Sequence, residues 1–150
     1  MERPDLAAMI VPLGRALTAA ERPVLHAHDL TMWAYVVLLA LGEESPVRSQ
    51  NALAQAIGAD KTRIIGVLDD LQARGLIARR PDPDDRRTRL LSLTPVGRRL
   101  RDTAQADIQR QEDRLLAHLP EADREPFLRS LQALAAVRIE EHLGSGRPRR

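Results

Sequence analysis

The chain has 150 residues, enough for one domain with a buried core, and contains no cysteine, which excludes disulfides, thiolate metal sites and thiol redox chemistry. Its formal charge of +2 carries no argument from bulk basicity, but the charge is uneven. Residues 60–101 hold Lys61 and ten arginines against six aspartates, a local +5, whereas residues 102–143 hold nine acids against five arginines, a local −4. No apolar run approaches the roughly eighteen residues of a membrane span. The first residues, with Glu2 and Asp5 among them, make a poor signal peptide, so the expectation is a cytoplasmic protein with no membrane partner and no cofactor.

Leu6, Met9, Ile10, Leu13 and Leu17 recur at helical spacing, which predicts an amphipathic helix over about 4–21, kinked at Pro12 and ending near "ERP". "HAHDL" reads as a connector, and Thr31 as the cap of a second helix, "TMWAYVVLLALGEE", apolar nearly all round and therefore buried. After "ESPVR", Ser49 caps a short helix that stops at Gly58, with Leu53, Ala54 and Ile57 facing inward. Asp60 caps the next helix, "DKTRIIGVLDDLQARG", whose inner stripe is Ile64, Val67, Leu68 and Leu71. Two helices joined by a short glycine turn have the helix-turn-helix spacing.

"LIARR" and "RLLSLT" then read as two strands around the turn "PDPDD", a hairpin with a long tip. From Thr94 a long helix runs to about His118, with Pro95 at its first position. After Pro120 a last helix carries Leu128, Leu131, Leu134, Ala135 and Ile139, and residues 144–150 form a frayed tail. The fold class is mainly α with a small β-hairpin: a winged helix-turn-helix over about 31–94, flanked by helices over about 4–21 and 95–143 whose apolar stripes pair across a two-fold axis.

The hairpin concentrates the chemistry. Residues 79–89 hold five arginines and three aspartates. A cationic tip meets phosphates or enters a narrow, negative minor groove, Arg87 before Arg86 and Arg89. The expectation for the acids is that Asp82, Asp84 or Asp85 bonds a neighbouring guanidinium bidentately and aims it. Asp70 lies four residues before Arg74, the spacing of a helix-surface ion pair.

Taken in order, "ALAQAIGADKTRI", "LDDLQARGLIARR" and "DDRRTRLLSLT" resemble the turn between DNA-facing helices, the end of the recognition helix, and the wing of MarR-family transcriptional regulators. The likeness covers about residues 5–143, and in the wing it rests on Asp85, Arg87, Leu93 and Thr94. It implies a homodimeric repressor that binds palindromic double-stranded DNA and is released by a small aromatic or anionic effector. The DNA-binding residues so implied are Ser49, Gln50 and Asn51 at the start of the third helix, Lys61, Thr62 and Arg63 in the first turn of the recognition helix, and Arg86, Arg87 and Arg89 in the wing, with Asp85 orienting the wing. Two departures stand out. Ile65 and Gly66 occupy positions where relatives often offer a hydroxyl and an arginine, which concentrates base reading in the first turn, and Ala52 replaces a common glutamate, so the capping box is absent.

The effector is expected near His26, His28, Met32 and Trp33, where aromatic and titratable groups cluster away from the charged segments. Two alternatives stay open. His26 and His28, as H-x-H on an extended segment, would place both rings on one side and make a metal-responsive regulator. A winged-helix fold is also compatible with a protein-interaction module that binds no operator. No nucleophile–histidine pattern or phosphate-binding glycine loop is present, so no enzyme is expected.

Overall fold

The computed structural model of the chain describes residues 3–42 and 48–137. The "ESPVR" connector up to residue 47, Ile139 and the tail 144–150 lie outside the described residues. In chain order the elements are α1 (Leu6–Ala27), α2 (Met32–Leu41), β1 (Arg48–Ser49), α3 (Gln50–Ile57), α4 (Lys61–Ala73), β2 (Ile77–Pro81), β3 (Arg89–Leu93), α5 (Pro95–Leu116) and α6 (Glu121–Ala135). The chain divides into two compact units, Met1–Gln109 and Arg110–Arg150. The first holds a mainly helical winged helix-turn-helix. No single helix among the described residues is long and apolar enough to cross a membrane.

Local chemistry accounts for the starts of α2, α3 and α4. The Thr31 hydroxyl accepts from the Ala34 N–H (3.1 Å), Ser49 Oγ from the Ala52 N–H (3.1 Å), and Asp60 Oδ1 from the Thr62 N–H (2.9 Å), each satisfying a donor the first turn would otherwise leave open. Gly58 closes α3 at φ 66°, in the left-handed region where a side chain is strained. α2 surrenders Ala34, Tyr35, Val37, Leu38 and Leu41 to the core, where they meet Leu53 and Ala54 of α3, Ile64, Leu68 and Leu71 of α4, and Leu91 of β3.

The predicted end of α1 needs correction: the helix continues through Pro23 to Ala27 and takes His26 with it. Pro23 removes one N–H and so deprives only the carbonyl of Ala19, an exposed residue that water can reach. Leu25, 1% exposed, anchors the last turn in the core, and its carbonyl accepts from the N–H groups of His28 and Leu30. Burial of one leucine outweighs the local breaker signal.

The sheet has one strand more than expected. β3 is central, antiparallel to β2 with Ile77 opposite Leu93 and Pro81 opposite Arg89, and also to the two-residue β1, where Ser49 faces Leu90. After the wing, the Thr94 hydroxyl donates to the Gly75 carbonyl (2.6 Å) and accepts from the Gly97 N–H (3.0 Å). A side chain at Gly97 would collide with the Leu76 carbonyl. The start of α5 is thereby locked to the end of α4.

Candidate nucleic-acid interface

Three segments of the first unit carry the residues singled out for binding. α4 buries Ile64, Leu68 and Leu71, so its first turn turns outward and Lys61, Thr62 and Arg63 are all exposed. The Arg63 guanidinium lies over the Trp33 ring, 5.7 Å from its centroid, within range of a cation–π attraction. Further along, Asp69 pairs with Arg79 of β2 (2.5 Å), and Asp70 pairs with Arg74 (3.6 Å) as the i,i+4 spacing implied. The acids of the recognition helix are thus engaged within the fold.

In the wing tip the aspartates do something other than the sequence suggested. Asp82 Oδ1 accepts from the Asp84 N–H (2.9 Å); Asp85 Oδ1 accepts from the Arg87 N–H (3.0 Å) and its Oδ2 from the Thr88 hydroxyl (2.9 Å). The Asp82 N–H donates to the Thr88 carbonyl and the Thr88 N–H to the Asp85 carbonyl. The carboxylates therefore hold the turn's own backbone, because a short side chain two residues before an open N–H reaches that N–H more readily than a mobile guanidinium. Asp85 orients Arg87 through its main chain. Among the described residues no carboxylate pairs with Arg86, Arg87 or Arg89, and all three are exposed.

β1 joins this tip to α3. By pairing with β3 it brings the start of α3 beside the wing, and the two enclose a recess of about 270 Å³ lined by Ser49, Gln50, Asn51, Arg87, Thr88 and Arg89. Five of these six were singled out from sequence; Thr88 was not, although the D-x-x-T spacing of Asp85 and Thr88 is a readable turn signal. Two unpaired guanidinium groups facing the N–H-rich start of a helix make a positive, donor-lined concavity suited to an anionic oxygen. Arg86 lies outside it.

The residues proposed for an effector do not stay together. A second recess, about 630 Å³, is lined by Ala19, Arg22, Pro23, Leu25, His26, Leu30, Thr31 and Met32. It includes His26 and Met32. His28 instead donates from Nε2 to Asp107 Oδ2 of α5 (2.6 Å), and Trp33 faces Arg63. The H-x-H geometry fails because His26 is helical and His28 caps the same helix. No group of three or more His, Cys, Asp or Glu side chains suited to a metal occurs among the described residues.

Comparison with known proteins agrees with this architecture. The MarR family model matches residues 28–88. A putative transcriptional regulatory protein for the hcr operon of Thauera aromatica is 33% identical over 97 residues, which is 65% of this chain and 58% of that protein; the chain matches about half the length of its curated relatives. The crystal structure of a MarR-family transcriptional regulator from Rhodococcus sp. RHA1 superposes with a TM-score of 0.73 at 30% identity, over 89% of this chain and 97% of that one. CouR from Rhodococcus jostii RHA1, solved bound to p-coumaroyl-CoA, has a TM-score of 0.70 at 31% identity, over 88% of this chain and 92% of that one.

Proposed function

Since the chain belongs to the MarR family of transcriptional regulators, we propose that it binds palindromic double-stranded DNA in the cytoplasm as a homodimeric repressor released by a small effector. The winged core spans about 31–94, and the helices on either side form the dimer seam. The recess between the wing and the start of α3 carries the reading: Arg87 and Arg89 are unpaired there beside Ser49, Gln50 and Asn51, a set that takes a backbone phosphate. Lys61, Thr62 and Arg63 face the major groove, the cations there standing at a helix N-terminus against the dipole, while Arg86, outside the recess, takes over from Arg87 the reach into the flanking minor groove.

Dimerisation is supported by uncovered apolar surface in each unit. Leu6, Met9, Ile10, Val11 and Leu13 of α1 are 40–55% exposed, and Phe127, Leu128, Leu131 and Leu134 of α6 are 40–59% exposed. Soluble monomers seldom leave such stripes open. The effector reading shifts to the recess beside α1 and the start of α2, where Arg22 and His26 supply polar groups and Met32, Leu25 and Leu30 an apolar wall. An amphipathic anion fits that chemistry, and CouR's p-coumaroyl-CoA is a ligand of that kind.

The test is an electrophoretic shift of the duplex upstream of the chain's own gene, run across salt. Arg87→Ala should weaken binding and lower the salt slope by about 1 per wing, the loss of one phosphate neutralisation. Unchanged affinity and slope would remove the wing from the interface.

A further inference from the structure

α4 has a feature that neither the core nor the charged first turn uses. With Ile64, Leu68 and Leu71 buried, a rotation of about 100° per residue places Thr62, Gly66 and Asp69 along the outward line, with Arg63 on one flank and Ile65 on the other. Ile65 is 48% exposed, and its branched Cβ makes it a stiff apolar knob. Gly66 sits mid-helix, where glycine is disfavoured, and a Cβ there would meet nothing within 4 Å. The backbone conformation does not demand it. Beside them Asp69 is paired with Arg79, and the Arg63 guanidinium lies over the Trp33 ring.

The second turn of α4 therefore offers a partner a bare backbone and one isoleucine. In the major groove the one apolar group on a base-pair edge is the C5-methyl of thymine. We propose that Ile65 is a specificity-determining residue that packs on a thymine methyl, and that Gly66 lets the helix axis approach the base edges closely enough for the contact. This rests on the reading of α4 as a DNA-recognition helix.

The contact is tested with a random-sequence duplex library, from which wild-type protein and Ile65→Ala each select. Because Ile65 is exposed, the variant should keep its circular dichroism and melting midpoint. The wild type should enrich a motif with a thymine in each half-site, and Ile65→Ala should lose preference at that position alone. Replacing that thymine by deoxyuridine, which deletes only the methyl, should weaken wild-type binding about fourfold per contact and leave Ile65→Ala unaffected. Gly66→Ala should raise the melting midpoint yet weaken binding. A wild-type motif without such a thymine, or an equal deoxyuridine penalty in both proteins, overturns the assignment, as does Gly66→Ala binding at full strength for its second half. If the wild type enriches nothing, the DNA-recognition reading itself falls.

Discussion

α2 and α6 are both short helices rich in leucine and alanine, and their fates differ. α2 buries Ala34, Tyr35, Val37, Leu38 and Leu41, whereas no residue of α6 is buried. α2 is apolar on every side and is consumed by folding the first unit. α6 carries its apolar residues as a stripe, and the stripe remains open. Apolar area buried within a chain stabilises that chain; area left open is available to a second copy.

Leu38→Ala, at a side chain with 0% exposure, should cost about 2–5 kcal/mol in urea unfolding through the cavity it leaves. A loss below ~1 kcal/mol would mean that α2 is not the centre of the core. In α6, Leu131→Asp should leave the far-UV circular dichroism of the first unit intact and convert dimer to monomer in light scattering; an unchanged mass would show that the α6 stripe is not the seam. Thr31→Ala removes the hydroxyl that caps α2 and should cost about 1 kcal/mol, while the cap position of α6, Pro120, makes no side-chain hydrogen bond and its replacement by alanine should be nearly neutral.

One end of α2 escapes burial in the core and touches the candidate binding face. Trp33 sits against Arg63, a contact of about 0.5–1 kcal/mol. Arg63→Ala should shift the emission of this lone tryptophan, and duplex DNA that draws Arg63 away should shift it in the same direction. Emission unmoved by either would dissolve the link between α2 and the recognition helix.

A small effect of another kind lies in α5. Burial, and next the neighbouring charge of Asp113, raise the Glu112 carboxyl above its ordinary value of 4.5. The folded chain then holds this proton more tightly than the unfolded chain, so the group's contribution to stability grows as pH falls from the folded pKa toward 4.5, levels off below it, and is lost as pH rises. Glu112→Gln should flatten that part of the stability–pH curve and slightly raise stability at neutral pH. A slope unchanged by the substitution would assign it to another group.

Much of this is legible in the sequence. The caps Thr31, Ser49 and Asp60, the Gly58 turn, the inward stripe of α4 and the two main strands all depend on interactions within a few residues, and the chain order of those signals spells the winged helix-turn-helix. The Asp70–Arg74 pair is of the same kind. Where the sequence reading missed, the deciding partner lay far along the chain or the competing signal was local and strong. Pro23 looked like an end of α1 until Leu25 found the core; β1 is two residues long and exists only because β3 offers it a ladder. The wing aspartates illustrate a third case, since charge counting cannot tell a guanidinium partner from a backbone N–H two residues away.

Charge density, capping and periodicity are properties of short stretches and suffice to read the fold class and the charged wing, whereas the start of α3 and the first turn of α4 became candidate binding segments through the resemblance to the MarR family. Which side chains within those segments are free was decided by tertiary structure alone. Pairing of β1 with β3 set Arg87 and Arg89 beside the start of α3; contacts across the fold took Trp33 to Arg63, His28 to Asp107 and Asp69 to Arg79. Each of these pairs residues at least ten positions apart, and at such separation the choice among partners is made by the packing of the helices between them, which no local pattern encodes.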